Sequence, residues 1–361
     1  MNQGMSAMKP YRPACRAARL PEIDFLRCLS MLAVITIHVT STYLHGESRV
    51  LILGMNLSFL LNQAARFSVP MFLLLSGFSL GLAGGPPLWR PFWKKKALQT
   101  LPPYLLWTGI YTLSNVDFHL PDLASRCRDP LWVVETVLTG QAAPHLYFIP
   151  ILLQLYLLYP LLARWVQRDP TGAAVWSLLT SLLAQGWCVL ADLGRVPALP
   201  YLWLVFPAWL FYFVLGNALA GLGPDRLPAR RHRTLPLLLL TGAALLLYSV
   251  SASLTGLIHA VKPSLLIVTP LVLLSAFALW RRVDCPALRA VVRTLAARSM
   301  EIYYCHVLVL TWLRRSPLPQ AGTRGMLVLL LTTALLSIAL AWPLSALKKT
   351  AVPHPLTKLS S

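Results

Sequence analysis

Acidic side chains are scarce in this chain. It holds 12 Asp and Glu against 32 Lys and Arg, a formal net charge of +20, and only 12% of its 361 residues are charged. A water-soluble domain carries about a quarter charged residues. With 57% hydrophobic residues and a mean hydropathy of +0.62, that class is excluded. The chain reads as an all-α polytopic membrane protein. The basic excess does not mark a nucleic-acid binder, because it sits in short clusters between apolar runs, at every second loop. That is the positive-inside pattern of a membrane protein.

Other absences narrow the chemistry. The six cysteines show no Cys-x-x-Cys spacing, so neither a disulfide frame nor a zinc site is expected, and no His/Cys/Asp set has metal-ligand spacing. There is no Gly-rich phosphate loop, no Gly-x-Ser-x-Gly elbow, no internal repeat and no low-complexity tract. No small-x-small cleavage site follows the first apolar run, which is therefore expected to be retained as a span. No loop is long enough to fold by itself, so any site must be built by the bundle and its rims.

What is present is a series of apolar runs long enough for a hydrocarbon core of ~30 Å. Ten are expected, at about 24–44, 53–83, 91–114, 144–164, 171–192, 200–221, 234–256, 262–280, 294–313 and 325–346. Residues 1–23 and 347–361 form basic tails, and 24–346 is the membrane domain. The second run is expected to bend near Pro70, and the eighth to kink or break at Pro270. With the N-terminus in the cytoplasm, the inner segments carry 22 Lys and Arg and the outer ones 8. That favours both termini inside, in a multi-pass protein of the cell (plasma or inner) membrane. The longest outer loop, about 115–143, contains Leu131 to Leu138, which reads as a short interfacial helix.

Against this apolar background a few polar groups need a reason. Arg27 and His38 lie on the first span, eleven residues apart. They project from nearly one helix face, within ~20°, and ~16 Å apart along the axis. Arg66 lies halfway along the second span, among Asn62, Gln63 and Ser68. A guanidinium there requires an anion, a carbonyl or water. It either pairs with an internal carboxylate, with Glu301 the candidate, or lines a hydrated site. On the ninth span, Glu301 and His306 are five apart and point ~140° from each other, so each is expected to meet a different span. His145 opens the fourth span among aromatic residues at the outer interface. Lys94, Lys95 and Lys96 open the third, where they either anchor the helix at anionic lipid or attract a polyanionic ligand.

These pieces resemble the acyltransferase-3 family of integral membrane acyltransferases, and more narrowly the bacterial surface-polysaccharide O-acetyltransferases of the enterobacterial common antigen or O-antigen type. The resemblance rests on Ile23-Asp24-Phe25-Leu26-Arg27 with His38 eleven residues on, and on the run from Arg66 through Pro70 to Gly77. It continues with Leu101-Pro102-Pro103-Tyr104, His145-Leu146-Tyr147-Phe148, and Glu301-Ile302-Tyr303-Tyr304-Cys305-His306, in that order. It implies transfer of an acyl group from cytoplasmic acyl-CoA to a sugar hydroxyl, with Arg27 and His38 essential. The family also carries two arginines three apart near the start of the third span; the corresponding positions here are Lys96 and Gln99.

The residues suit that chemistry. Attack of a hydroxyl on a thioester needs a base near neutral pKa, and His38 is the candidate. It needs positive charge at the developing oxyanion, and Arg66 is the candidate. Glu301 or His306 would orient a partner, or His306 would shuttle a proton. Arg27, Lys94, Lys95 and Lys96 are the candidates for the anionic end of acetyl-CoA, the expected donor. His145 and Tyr303 are the candidates for the acceptor, a glycan or lipid-linked glycan, and membrane lipid is the other expected partner. No metal or prosthetic group is expected. Buried Arg, His and Glu also build proton-coupled transporters; a repeat between the two halves would favour that reading, and none is visible.

Overall fold

The computed structural model describes residues 20–44, 51–52, 54–223, 234–257, 261–318 and 321–351. The expected tails fall mostly outside the described residues, as do all the basic residues of the 222–233 segment. The described chain is a bundle of helices. In order they are α1 (Pro21–Thr40), α2 (Leu57–Ala64), α3 (Ser68–Leu82), α4 (Trp89–Ser114), α5 (Leu120–Cys127), α6 (Pro130–Thr139), α7 (Phe148–Arg168), α8 (Pro170–Asp192), α9 (Leu210–Leu222), α10 (Thr234–Thr255), α11 (Leu265–Trp280), α12 (Pro286–Ala296), α13 (Ser299–Arg314) and α14 (Gly322–Ala351). Among the described residues the strand pairing is confined to Leu51–Ile52 against Met55–Asn56.

Every apolar run expected to span contains a helix. Six helical stretches are long and apolar enough to cross a membrane: Pro21–Tyr43, Leu57–Leu82, Phe148–Arg168, Pro170–Asp192, Thr234–Thr255 and Gly322–Ala346. They divide by burial. The Leu57–Leu82 stretch is 67% buried and the first is 61%, whereas those at 234–255 and 322–346 are 22%. The first two are central. The last two expose leucines such as Leu247 and Leu335, as a lipid-facing helix does. The segment expected to be an interfacial helix is α6, and Asp129 caps it, accepting from the Leu131 and Trp132 amides at 3.0 and 3.3 Å.

α1 is the axis of the bundle. Pro21 and the acidic Glu22 and Asp24 suit its N-terminal turn. Glu22 pairs with Arg281 at 2.9 Å, Phe25 stacks on Trp280 at 4.5 Å, and the Cys28 thiol donates to the Val292 carbonyl at 3.2 Å. α11 and α12 are thereby fixed to its first half. On its other side α3 meets α9 backbone to backbone. A Cβ on Gly77 would lie 2.0 Å from the Phe213 carbonyl oxygen, and one on Gly216 would lie 2.0 Å from that of Leu74. Such close approach through small residues is how helices associate where no water drives them together. It gives Gly77 a packing role.

Two expectations are corrected. The second span breaks at Ala65–Phe67, in a turn of 3-10 helix, and not at Pro70. Pro70 falls in the first turn of α3, where its missing N–H has no intrahelical acceptor anyway. α11 runs through Pro270 without a break, which removes one of the two alternatives at that proline. The ninth run also starts later than expected. Residues 286–296 form a separate helix, so Glu301 sits in the first turn of α13 and not midway along a span.

Candidate active site

The break in the second span is where the polar groups collect. Asn62 is fully buried. Its amide donates to the Ile37 carbonyl and to Thr40 Oγ1, both at 3.0 Å. Its oxygen accepts from Arg66 Nε at 3.1 Å and Nη2 at 2.8 Å, and from Gln63 at 3.2 Å. Arg66 is thus tied to the last turns of α1, beside His38, which lies within its field. Of the two readings of Arg66, the pair with Glu301 does not form. Arg66 and Glu301 line different cavities.

His38 is one of three histidines brought together from distant parts of the chain. Its ring centroid is 5.3 Å from that of His306 on α13 and 5.9 Å from that of His145; His145 and His306 are 4.8 Å apart. His306 is completely buried, and its Nδ1 lies 2.7 Å from the Tyr303 carbonyl oxygen. A carbonyl only accepts, so Nδ1 carries the proton and Nε2 keeps its lone pair. That Nε2 is buried without a hydrogen-bond partner, as are both ring nitrogens of His145. Three neighbouring imidazoles with unused nitrogens can accept and pass on a proton.

His145 does not lie in an interfacial aromatic belt. It is 2% exposed, at the heart of the bundle. The chain reaches this place through Gly140, which ends α6 in the left-handed conformation (φ 74°); a Cβ there would lie 2.5 Å from the Tyr147 nitrogen. The small Ala142 and Ala143 let the segment pack inward. Asn115 holds the Ala142 carbonyl at 2.9 Å, and the Tyr303 hydroxyl donates to the His145 carbonyl. Tyr303 therefore touches backbone in this structure. Tyr111, unmarked in the sequence, donates to the Tyr304 carbonyl at 2.6 Å and accepts from the Leu308 amide at 3.1 Å; its ring lies 5.2 Å from His145.

Two linked cavities open at the end of the bundle where α1 begins. One, of about 370 Å³, is lined by Arg27, Gln99, Glu301, Phe72, Phe148 and Tyr304 among others. Its neighbour, of about 400 Å³, shares Arg27, Ser76 and Tyr156 and adds Lys95 and Lys96. Arg27 donates to Ser79 at 3.1 Å, and Lys96 rests 4.9 Å over the Tyr156 ring. Lys94 is not on either wall. Phe148 forms part of the first cavity's wall and lies 5.7 Å from Tyr303, so this cavity ends against the histidine cluster. A third cavity, of about 420 Å³, is lined by Arg66, Tyr147 and the end of α8. His145, Tyr147 and Phe148, almost consecutive, serve the cluster and two separate cavities.

Outside the spans, Tyr201 donates to Glu135, which also accepts from Gln141 at 3.2 Å. These hydrogen bonds, that of Tyr201 first, hold the Glu135 carboxyl below its ordinary range. They tie α6 to the segment before α9. Arg314, counted from the sequence as an outer rim residue, donates to the His38 carbonyl at 2.9 Å.

The acyltransferase-3 family, described as an acyltransferase domain, matches residues 20–346. The chain belongs to the acyltransferase-3 family. It is also 23% identical over 202 residues to the "Putative membrane-bound acyltransferase YfiQ" of Bacillus subtilis (strain 168). That match covers 55% of this chain and 55% of the relative, so the chain spans about half the length of the curated relative it matches. No solved structure matches significantly. In this acyltransferase-3 chain, the Lys96 and Gln99 positions, where the family pattern carries arginines, line the two cavities that share Arg27.

Proposed function

We propose that this membrane acyltransferase moves an acyl group, acetyl in the first instance, from cytoplasmic acyl-CoA to a hydroxyl of a cell-surface polysaccharide or its lipid-linked precursor. The observation that carries this reading is the trio of neighbouring imidazoles, two of them buried, close to the linked cavities that hold Arg27, Lys95 and Lys96. Arg27, Lys95 and Lys96 suit the anionic end of CoA, and the apolar wall toward Phe148 suits the pantetheine arm with its thioester. Lys94, beside them in sequence, contributes to the charge of this rim. The ten-span arrangement with both termini cytoplasmic, in the cell inner membrane, is part of the same proposal. It is supported by the bias of Lys and Arg and by a helix in each expected run.

In this reading His38 takes the proton of the attacking sugar hydroxyl. The oxygen adds to the thioester carbonyl, whose developing negative charge lies in the field of Arg66. The C–S bond then breaks, the acyl–oxygen ester remains, and the thiolate leaves with a proton returned through the imidazoles. The free Nε2 of His306 receives the proton from His38 in this proposal. Glu301, in the cavity with Arg27, orients the donor side. His145 and Tyr303 shape the space in which the acceptor hydroxyl meets the thioester. The even ledger of a hydroxyl exchanged for a thiol requires no metal and no prosthetic group.

The test is label transfer from radiolabelled acetyl-CoA into lipid- or polymer-bound carbohydrate, in membranes with equal amounts of wild type or His38→Ala. Transfer in wild type and a loss of 10²-fold or more in the variant is expected. Full transfer by His38→Ala removes His38 as the base. No transfer from acetyl- or succinyl-CoA by wild type overturns the acyl-CoA reading.

A further inference from the structure

The cavity on the far side of the histidines has Arg66 on its wall and a second cation, Lys262, directly behind that wall, for which the donor chemistry gives no use. It opens between the last turn of α8, the 198–203 segment and the start of α7, and Tyr147, Trp187, Trp203 and Asp192 are on its wall. Arg66 forms its inner end, with two of its three nitrogens bound to the neutral Asn62 oxygen. Val261 is on the wall, and Lys262 follows it. Lys262 is 5% exposed, and its ammonium lies 4.5 Å over the Tyr248 ring, within electrostatic reach of Arg66. Its Nζ is shielded from solvent and has no hydrogen-bond partner. Among the described residues no carboxylate comes within 4.0 Å of either cation.

A buried ammonium and a half-buried guanidinium near each other, with no carboxylate among the described residues in ion-pair range, are costly through both desolvation and mutual repulsion. An anion from solution removes both costs. The planar guanidinium on the wall would bind its oxygens, and the ammonium behind Val261 would add its charge to the attraction. Beside them, indole faces offer a platform for the C–H face of a pyranose ring, and the Asp192 carboxylate can accept from a sugar hydroxyl. Because Arg66 also lies beside His38, a ring held here has its hydroxyls directed to the imidazoles.

We propose that this cavity is the acceptor subsite and that it selects a sugar bearing an oxyanion, held at Arg66 in the field of Lys262 with its ring against Trp203. The proposal rests on the acyltransferase reading and names the acceptor class. The shared chemistry is an anionic group on a sugar, supplied either by a uronate carboxylate or by a glycosyl phosphate.

The experiment uses the full chain in nanodiscs and two readouts. The first is equilibrium binding of tritiated methyl glucuronide, glucose 1-phosphate and neutral methyl glucoside. The second is thiol release from acetyl-CoA, with and without these sugars. At least one anionic sugar is expected to bind about tenfold more tightly than methyl glucoside. Lys262→Met is expected to remove that preference, and Lys262→Arg should retain it. Preference for the glucuronide identifies a carboxylate, and preference for the phosphate identifies a glycosyl phosphate. Equal binding of all three sugars, or a preference that survives Lys262→Met, overturns the proposal. Absence of thiol release in wild type counts against the acyl-CoA reading, while the binding arm still decides the subsite.

Discussion

At the scale of single residues, the histidines divide the work of holding and reacting. His306 is fixed through Nδ1 to the Tyr303 carbonyl, and His145 is fixed through its own carbonyl to the Tyr303 hydroxyl. Tyr303 thus steadies both. Tyr303→Phe is expected to leave the protein folded and to lower kcat by something on the order of tenfold to a hundredfold, with little change in the donor KM. Steady-state kinetics on the purified variant, with a melting curve beside them, checks this. Arg27 and His38 were legible in the sequence because a charge in an apolar helix has few bland explanations. His145 was not, since its aromatic neighbours imitate an interfacial belt; in fact Tyr147 and Phe148 line two different cavities. Tyr111 and Lys262 carried no signal, because their importance arises only where separate helices meet.

At the scale of elements, α3 and α9 are held backbone to backbone at Gly77 and Gly216. Gly77→Leu or Gly216→Leu should destabilise by about 1–3 kcal/mol or more, because backbone on the facing helix cannot yield. Gly186→Ala, with nothing within 4 Å of the added carbon, should leave the melting temperature unchanged or raise it. Thermal unfolding followed in detergent separates these outcomes. A second element depends on pH. Hydrogen bonding depresses the Glu135 carboxyl, so the tether from α6 to Tyr201 is present above the ordinary carboxylate value and is lost as pH falls through the lowered one. Proteolytic nicking of the 193–209 segment should therefore rise in acid, and Glu135→Gln should show less pH dependence. The helices themselves were legible from apolar run length. The break was misplaced because proline marks a bend only where its missing N–H matters, whereas Asn62 and Arg66 form the polar hub that settles the position.

At the scale of the whole molecule, charge is distributed by face. Arg27, Lys95 and Lys96 border adjoining cavities at the end where α1 begins. Neutralising Lys95 and Lys96 together to Gln should raise the KM for acyl-CoA and flatten its dependence on salt, since exposed charges act over a Debye length of about 10 Å at 0.1 M. Initial rates at several ionic strengths measure both effects. Ten apolar runs and the order of motifs were legible; which pockets they enclose was not, because that depends on pairings far apart in sequence.

The turn from His145 to Phe148 has a consequence for the cell as well as for chemistry. The cavity of Phe148 and the cavity of Tyr147 share no wall residue, and the cluster of His38, His145 and His306 lies by the turn that serves both. Water can fill either chamber without meeting the other. Liposomes carrying the protein are accordingly expected to hold an imposed proton gradient as long as empty ones, as read by a trapped pH-sensitive dye. An organism can then make this enzyme in quantity without discharging the energised membrane that feeds it.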